Sequence, residues 1–164
     1  MNDSLRNTIA ILGYNTWLFR NALKDVEPEL VGYRVNEHTN TFDRLAGHVT
    51  VGRFGMARML QIDVPEPGWG EFQELGLGRQ FDMRRDCPPV DDIIAAFNRI
   101  TEPFLAKLPE VSPSLLGAAA SLPIPGNSPT MGDQLAFMTM HESYHIGQIG
   151  LLKKSMGGTE IMSA

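Results

Sequence analysis

Apolar residues recur at intervals of three, four and seven in four stretches of the chain, the spacing of one buried helix face. The first stretch, about Asp3 to Val26, carries Leu5, Ile9, Leu12, Phe19 and Leu23; Asp3 or Ser4 is placed to cap it and Pro28 follows its end. The second, about Thr41 to Ile62, has the stripe Leu45, His48, Gly52, Gly55 and Met59, with Val49 and Met56 beside it. Pro65-Glu66-Pro67-Gly68 stops it. The third, about Val90 to Leu108, repeats Ile93, Phe97, Ile100, Phe104 and Leu108 behind the acids Asp91 and Asp92. Pro103 lies inside that pattern and is expected to kink it or split off its last turn. The fourth runs from about Thr130 to Met156. Its expected inward stripe is Gln134, Met138, His141, His145, Gln148 and Leu152, with Phe137 alongside and Ser143, Gly150 and Lys154 on the wet side. Thr130 and Asp133 form a capping-box pattern at its start, and Gly157-Gly158 suits its end.

No segment alternates with period two over a useful length. The connection from the second stretch to Pro89 is Gly-rich and long enough to run the length of a bundle, so the second and third helices need not be antiparallel neighbours. The Pro- and Gly-punctuated stretch between the third and fourth has room for a short hairpin at most. The pattern predicts an all-α four-helix bundle, a single domain over residues 1–164.

Composition narrows the partners. Net charge is -5 and the basic residues are scattered, which argues against nucleic acid and against an anionic membrane surface. No apolar run approaches the roughly 20 residues of a membrane span. The N-terminus lacks the pattern of a signal peptide, so the expected location is cytoplasmic. The one cysteine, Cys87, rules out an intramolecular disulfide and a cysteine-rich zinc site; nothing basic is placed to activate it.

The chemistry concentrates in His141-Glu142-Ser143-Tyr144-His145. Two imidazoles one helical turn apart can share one divalent ion at roughly 2.0–2.1 Å. The alternative is a pair of half-buried histidines satisfied by unrelated hydrogen bonds. His48, on the inward stripe of the second helix, is the candidate third ligand or else a core histidine with a backbone partner. The glycines one and two turns beyond it suggest close helix packing or open volume. His38 falls in a polar turn and reads as a surface residue. The string matches the H-E-x-x-H of metalloproteases, but only nineteen residues follow it, with no histidine, one acid (Glu160) past Gly157-Gly158, and no substrate-binding strand. Glu142, about 100° around the helix from His141, reads as a general base, a group behind the metal ligands, or a surface glutamate. Gln148, one turn past His145, and Tyr144 can orient a ligand or an imidazole; for Tyr144 the plainer role is packing between helices.

His48 together with "HESYHIGQIGLL" resembles the DinB/YfiT-like superfamily of metal-dependent four-helix-bundle proteins, over essentially the whole chain. The matching positions are His48, His141 and His145, followed by Gly147-Gln148. The resemblance implies an up-down-down-up bundle, a three-histidine site for one divalent metal (zinc or nickel) and a homodimer. It also implies a small-molecule substrate, and in some members a low-molecular-weight thiol as co-substrate. The expected function is a metal-dependent thiol S-transferase or hydrolase; the alternative is a non-catalytic metal- or ligand-binding bundle. In the first case Glu142→Gln is expected to keep metal and much of the activity. Apolar Ile11 and Leu18, opposite the main stripe of the first helix, point the same way as the implied dimer.

Overall fold

A computed structural model describes residues 5–70, 72, 87–122 and 130–162. In chain order its helices are α1 (Arg6–Leu23), the short α2 (Pro28–Val31), α3 (Phe42–Met59), α4 (Val90–Lys107), a 3-10 turn at Leu108–Glu110, the short α5 (Pro113–Leu116) and α6 (Met131–Ser155). Among the described residues there is no strand. A single antiparallel bridge joins Ala119 and Thr130 where a short hairpin had room to form. The protein is all-α. No described helix is long and apolar enough to cross a membrane.

The long helices begin and end largely for the reasons the residues suggest. At α6 the Thr130 hydroxyl accepts from the Asp133 N–H at 3.2 Å, and the Asp133 carboxylate accepts in return from the Thr130 N–H. Gly157 takes a φ of 81° just past the helix end. The cap expected at Asp3 or Ser4 lies outside the described residues. Pro103 does not split its helix: α4 runs unbroken through it to Lys107. Phe104 and Leu108, both fully buried, anchor the backbone on the far side of the missing N–H and offset its loss.

Each of α1 and α3 packs against both α4 and α6. The core falls into two apolar clusters. One gathers Leu12, Phe54, Met56, Ile100, Phe104 and Leu135. The other gathers Phe19, Leu45, Val49, Phe97, Ile146 and Ile149. Between them lies a layer of buried polar groups supplied by all four long helices. Arg53 of α3 donates through Nε and Nη2 to both carboxylate oxygens of Glu142 on α6. Its Nη1 reaches the hydroxyls of Thr16 at 2.7 Å and Thr101 at 3.3 Å. Asn15 adds a bond to Glu142 Oε1 at 3.1 Å. The two hydroxyls donate in turn to the carbonyls of Leu12 and Phe97, one turn back on their own helices. The guanidinium also stands over the Phe97 ring, 4.7 Å from its centroid.

That layer corrects the expected face of the fourth helix. Gln134 and Leu152, at the two ends of the expected stripe, are buried, but between them the buried line runs through Leu135, Thr139, Glu142, Ile146 and Ile149 to Lys153, one position around from the half-buried histidines. A buried carboxylate breaks the apolar pattern, so the periodicity is drawn toward the neighbouring stripe. Ser143, expected on the wet side, is half-buried and donates to Asn15. Lys153 turns inward and donates to the carbonyls of Asn21 and Ala22 at the end of α1, where a cation meets the negative end of a helix. Leu18, expected on an outer face, is partly buried against the second cluster.

Candidate metal centre

Moving the buried line leaves His141 and His145 on the shoulder of α6 that faces α3, where His48 meets them. The three rings stand edge to face, with centroids 5.3 Å apart for His48 and His141, 4.8 Å for His48 and His145, and 4.4 Å for His141 and His145. One ligand nitrogen from each falls within 4.8 Å of the other two. His38, by contrast, is 84% exposed beside Glu37 and belongs to no such group among the described residues.

The surroundings prepare these nitrogens to be ligands. His145 Nδ1 lies 2.8 Å from Gln148 Oε1. With that oxygen as acceptor the proton sits on Nδ1, leaving the Nε2 lone pair for the shared point. Gln148 is held in that orientation by donating from Nε2 to the Tyr144 hydroxyl at 3.1 Å. Phe137 stacks on His141 with ring centroids 5.8 Å apart, and the Tyr144 ring edges His145 at 5.1 Å. The Nε2 atoms of His141 and His145 are 3.0 Å apart. A tetrahedral ion with bonds of about 2.0–2.1 Å would hold two such nitrogens about 3.3 Å apart, so the donor set fits a small divalent cation.

Protonation agrees with the geometry. Burial, reinforced by the neighbouring histidines, pushes the His48 pKa from 6.5 down to about 3. Burial also lowers His141 and His145. All three are neutral imidazoles at neutral pH, the form that binds metal.

Of the residues singled out in the sequence, the structure brings His48, His141, His145, Gln148 and Tyr144 into one cluster, and Glu142 elsewhere. Both Glu142 oxygens face Arg53 and Asn15, so neither the surface reading nor that of a base beside the histidines holds. Neither oxygen is aimed at the histidine cluster. Tyr144 is not an interhelix packing residue: it is 58% exposed and touches the cluster from the solvent side. Cys87 is incidental, its thiol pushed up to about 12 by burial and by Asp43. Arg53 was missed. Its signal was present in Phe42, Leu45, Val49, Arg53, Met56 and Leu60, a run of threes and fours that is continuous once an arginine is allowed inside it.

A family model described as the DinB superfamily matches residues 15–149, a span that contains all three histidines and Gln148. No curated protein and no solved structure matches the chain.

Proposed function

This chain belongs to the DinB superfamily, and we propose that it holds one divalent metal ion, zinc or nickel, on His48, His141 and His145 and acts on a small electrophilic molecule. The observation that carries the reading is the convergence of three neutral imidazole nitrogens from two helices within 4.8 Å. Three neutral ligands leave such an ion its full charge and an open position, and the chemistry it supplies is deprotonation of a water or a thiol near neutral pH. The chain's own part is to aim the nitrogens: Gln148 fixes the His145 tautomer, and Phe137 and Tyr144 hold the two rings of α6.

The thiol S-transferase reading is favoured over a hydrolase that uses the glutamate of the motif as its base. Glu142 is committed to Arg53, which leaves no carboxylate of the sequence motif to take a proton from water. A thiol that loses its proton at the site needs no protein base; its sulfur forms the new bond to the electrophilic carbon as the leaving group departs. The test is metal analysis of purified protein, followed by conjugation of a small aryl halide to glutathione, bacillithiol and mycothiol. Stoichiometric metal with turnover of one thiol is the expected result. Stoichiometric metal with no turnover of any thiol or ester would leave a non-catalytic metal-binding bundle instead.

We also infer that residues 1–164 form one domain, an up-down-down-up bundle. The order of partners supports this. Asn15 meets Thr139 and Asn21 meets Lys153, so α1 and α6 run alike. His48 meets His145 while Gly55 nears Met138, so α3 runs against α6. Phe19 packs on Phe97 while Thr16 and Thr101 share Arg53, so α4 runs against α1. A homodimer is the further expectation, supported by exposed Ile11, Tyr14 and Trp17 on α1 and by Met140 and Leu151 on α6 beside it. Sedimentation at micromolar concentration should give twice the chain mass, and a monomer there would remove the idea.

A further inference from the structure

His48, Gly52, Gly55 and Met59 occupy one face of α3 at intervals of three and four, and across from them α6 presents His145, His141, Met138, Gln134 and Met131. At one end of this seam stand the three histidines. At the other is a cavity of about 340 Å³, lined chiefly by Gly55, Met59, Leu122, Met131, Gln134 and Met138. Between the two ends lies Gly52, where an added Cβ would meet no described residue within 4 Å. At Gly55 the nearest atom to an added Cβ is the methyl of Met138, at 3.6 Å. Glycine inside a helix costs about 1 kcal/mol relative to alanine. Among the described residues no helix packs against Gly52 closely enough to require it, so what it keeps is open volume beside the histidines.

The cavity has the character of a ligand site and not of a packing gap. Three methionines supply a soft, adaptable apolar wall. One donor is fixed within it. Gln134 is 1% exposed, and its Oε1 accepts from the Ser121 N–H at 2.9 Å, the Ser121 hydroxyl and the Leu122 N–H. Its amide nitrogen is thereby left as the free end, with no partner among the described residues. Arg58 stands at the rim but is shared with Glu66 at 3.4 Å, so it is not a dedicated anion site.

We propose that the glycine-floored seam is the binding groove for the body of the substrate: an elongated, largely apolar small molecule. Its reacting end lies at the histidines, its alkyl or aryl part lies over Gly52 and against the Met138 methyl that covers Gly55, and a carbonyl-type acceptor meets the Gln134 amide. Seven residues of helix separate His48 from Gly55, a span of about 10 Å, which sets the length of molecule the groove accommodates. This assignment rests on the metal reading for the reacting end alone; the apolar part stands without it.

The test uses straight-chain alkyl hydroxamates, from acetohydroxamate to octanohydroxamate, titrated into zinc-loaded protein carrying 13C-methyl methionine. Affinity should rise about fourfold per added methylene over the first several members, and the methyl signals of Met131 and Met138 should shift. Gly52→Leu, whose side chain would enter the open volume, should flatten the series. Hydroxamates that bind with no dependence on chain length would overturn the groove and leave the metal site standing. If the protein takes up no metal, the same alkyl chains are titrated as alcohols into metal-free protein. Shifts at Met131 and Met138 then uphold the groove while the metal reading fails, and unmoved signals overturn the groove as well.

Discussion

Replacing Glu142 by glutamine should cost the folded protein about 3–5 kcal/mol, a large share of the stability of a domain this size. The Arg53 and Glu142 side chains are 0% and 2% exposed, and among the described residues the carboxylate is the only opposite charge bonded to that guanidinium. Glutamine keeps the shape but leaves a full positive charge in the core with one amide oxygen facing it. Arg53→Met should be comparably harmful, because it strands a carboxylate that retains only Asn15. The double variant Arg53→Met/Glu142→Leu removes both charges and should recover most of the loss, since Thr16 and Thr101 keep their bonds to the carbonyls one turn back. Urea midpoints for the three variants check this. Singles within about 1 kcal/mol of the parent would mean that the pair contributes nothing the core cannot do without. The sequence pattern alone suggested that Glu142→Gln would be a mild change. The structure reverses that expectation, and it also means that inactivity of a Glu142 variant would report unfolding before it reported a lost general base.

The second large effect is expected at His48. His48→Ala should reduce metal content to background and abolish any rise in unfolding temperature on adding zinc or nickel, as should His141→Ala and His145→Ala. Gln148→Ala should weaken affinity by about 10–100-fold, the usual cost of losing a group that orients a ligand. His38→Ala should do nothing, because that imidazole is in solvent beside Glu37. In the metal-free protein the same histidine has the opposite influence. Its folded pKa of about 3 lies below its ordinary 6.5, so above pH 6.5 it is neutral folded or unfolded and contributes nothing. Between pH 6.5 and about 3 the unfolded chain takes up a proton that the folded chain refuses, and stability falls as the pH falls. Metal-free His48→Ala should therefore lose less stability over that window than the parent, while metal binding is gone at every pH. Parallel acid profiles for parent and variant would show that His48 is not held neutral by its surroundings. Retained metal in His48→Ala would remove it from the ligand set.

How much of this was legible in the residues varies with the kind of force involved. Helix positions follow from local periodicity and capping chemistry, which depend on neighbours in sequence. The four long helices, the Thr130–Asp133 cap and the glycine end of α6 could therefore all be read before any coordinates. The histidines were legible for the same reason, since a spacing of four on a marked helix puts two imidazoles one above the other. That His48 meets them depends on how α3 and α6 lie side by side, and spacing alone left a core histidine open as the alternative.

What only the tertiary structure decided is the polar interior. An arginine and a glutamate 89 positions apart become each other's environment only when α3 and α6 pack, and until then nothing in the sequence marks either as the other's partner. A buried pair reverses the sign of the pattern rule at both places, which is why the middle of the inward face of α6 was drawn through His141 and His145 and Glu142 was placed near the metal chemistry. The same packing turned Lys153 onto the end of α1, kept α4 whole across Pro103 and left Gly52 facing open volume. Hydrophobic spacing is written along the chain; which charges satisfy one another, and where space is left empty, are properties of helices brought together.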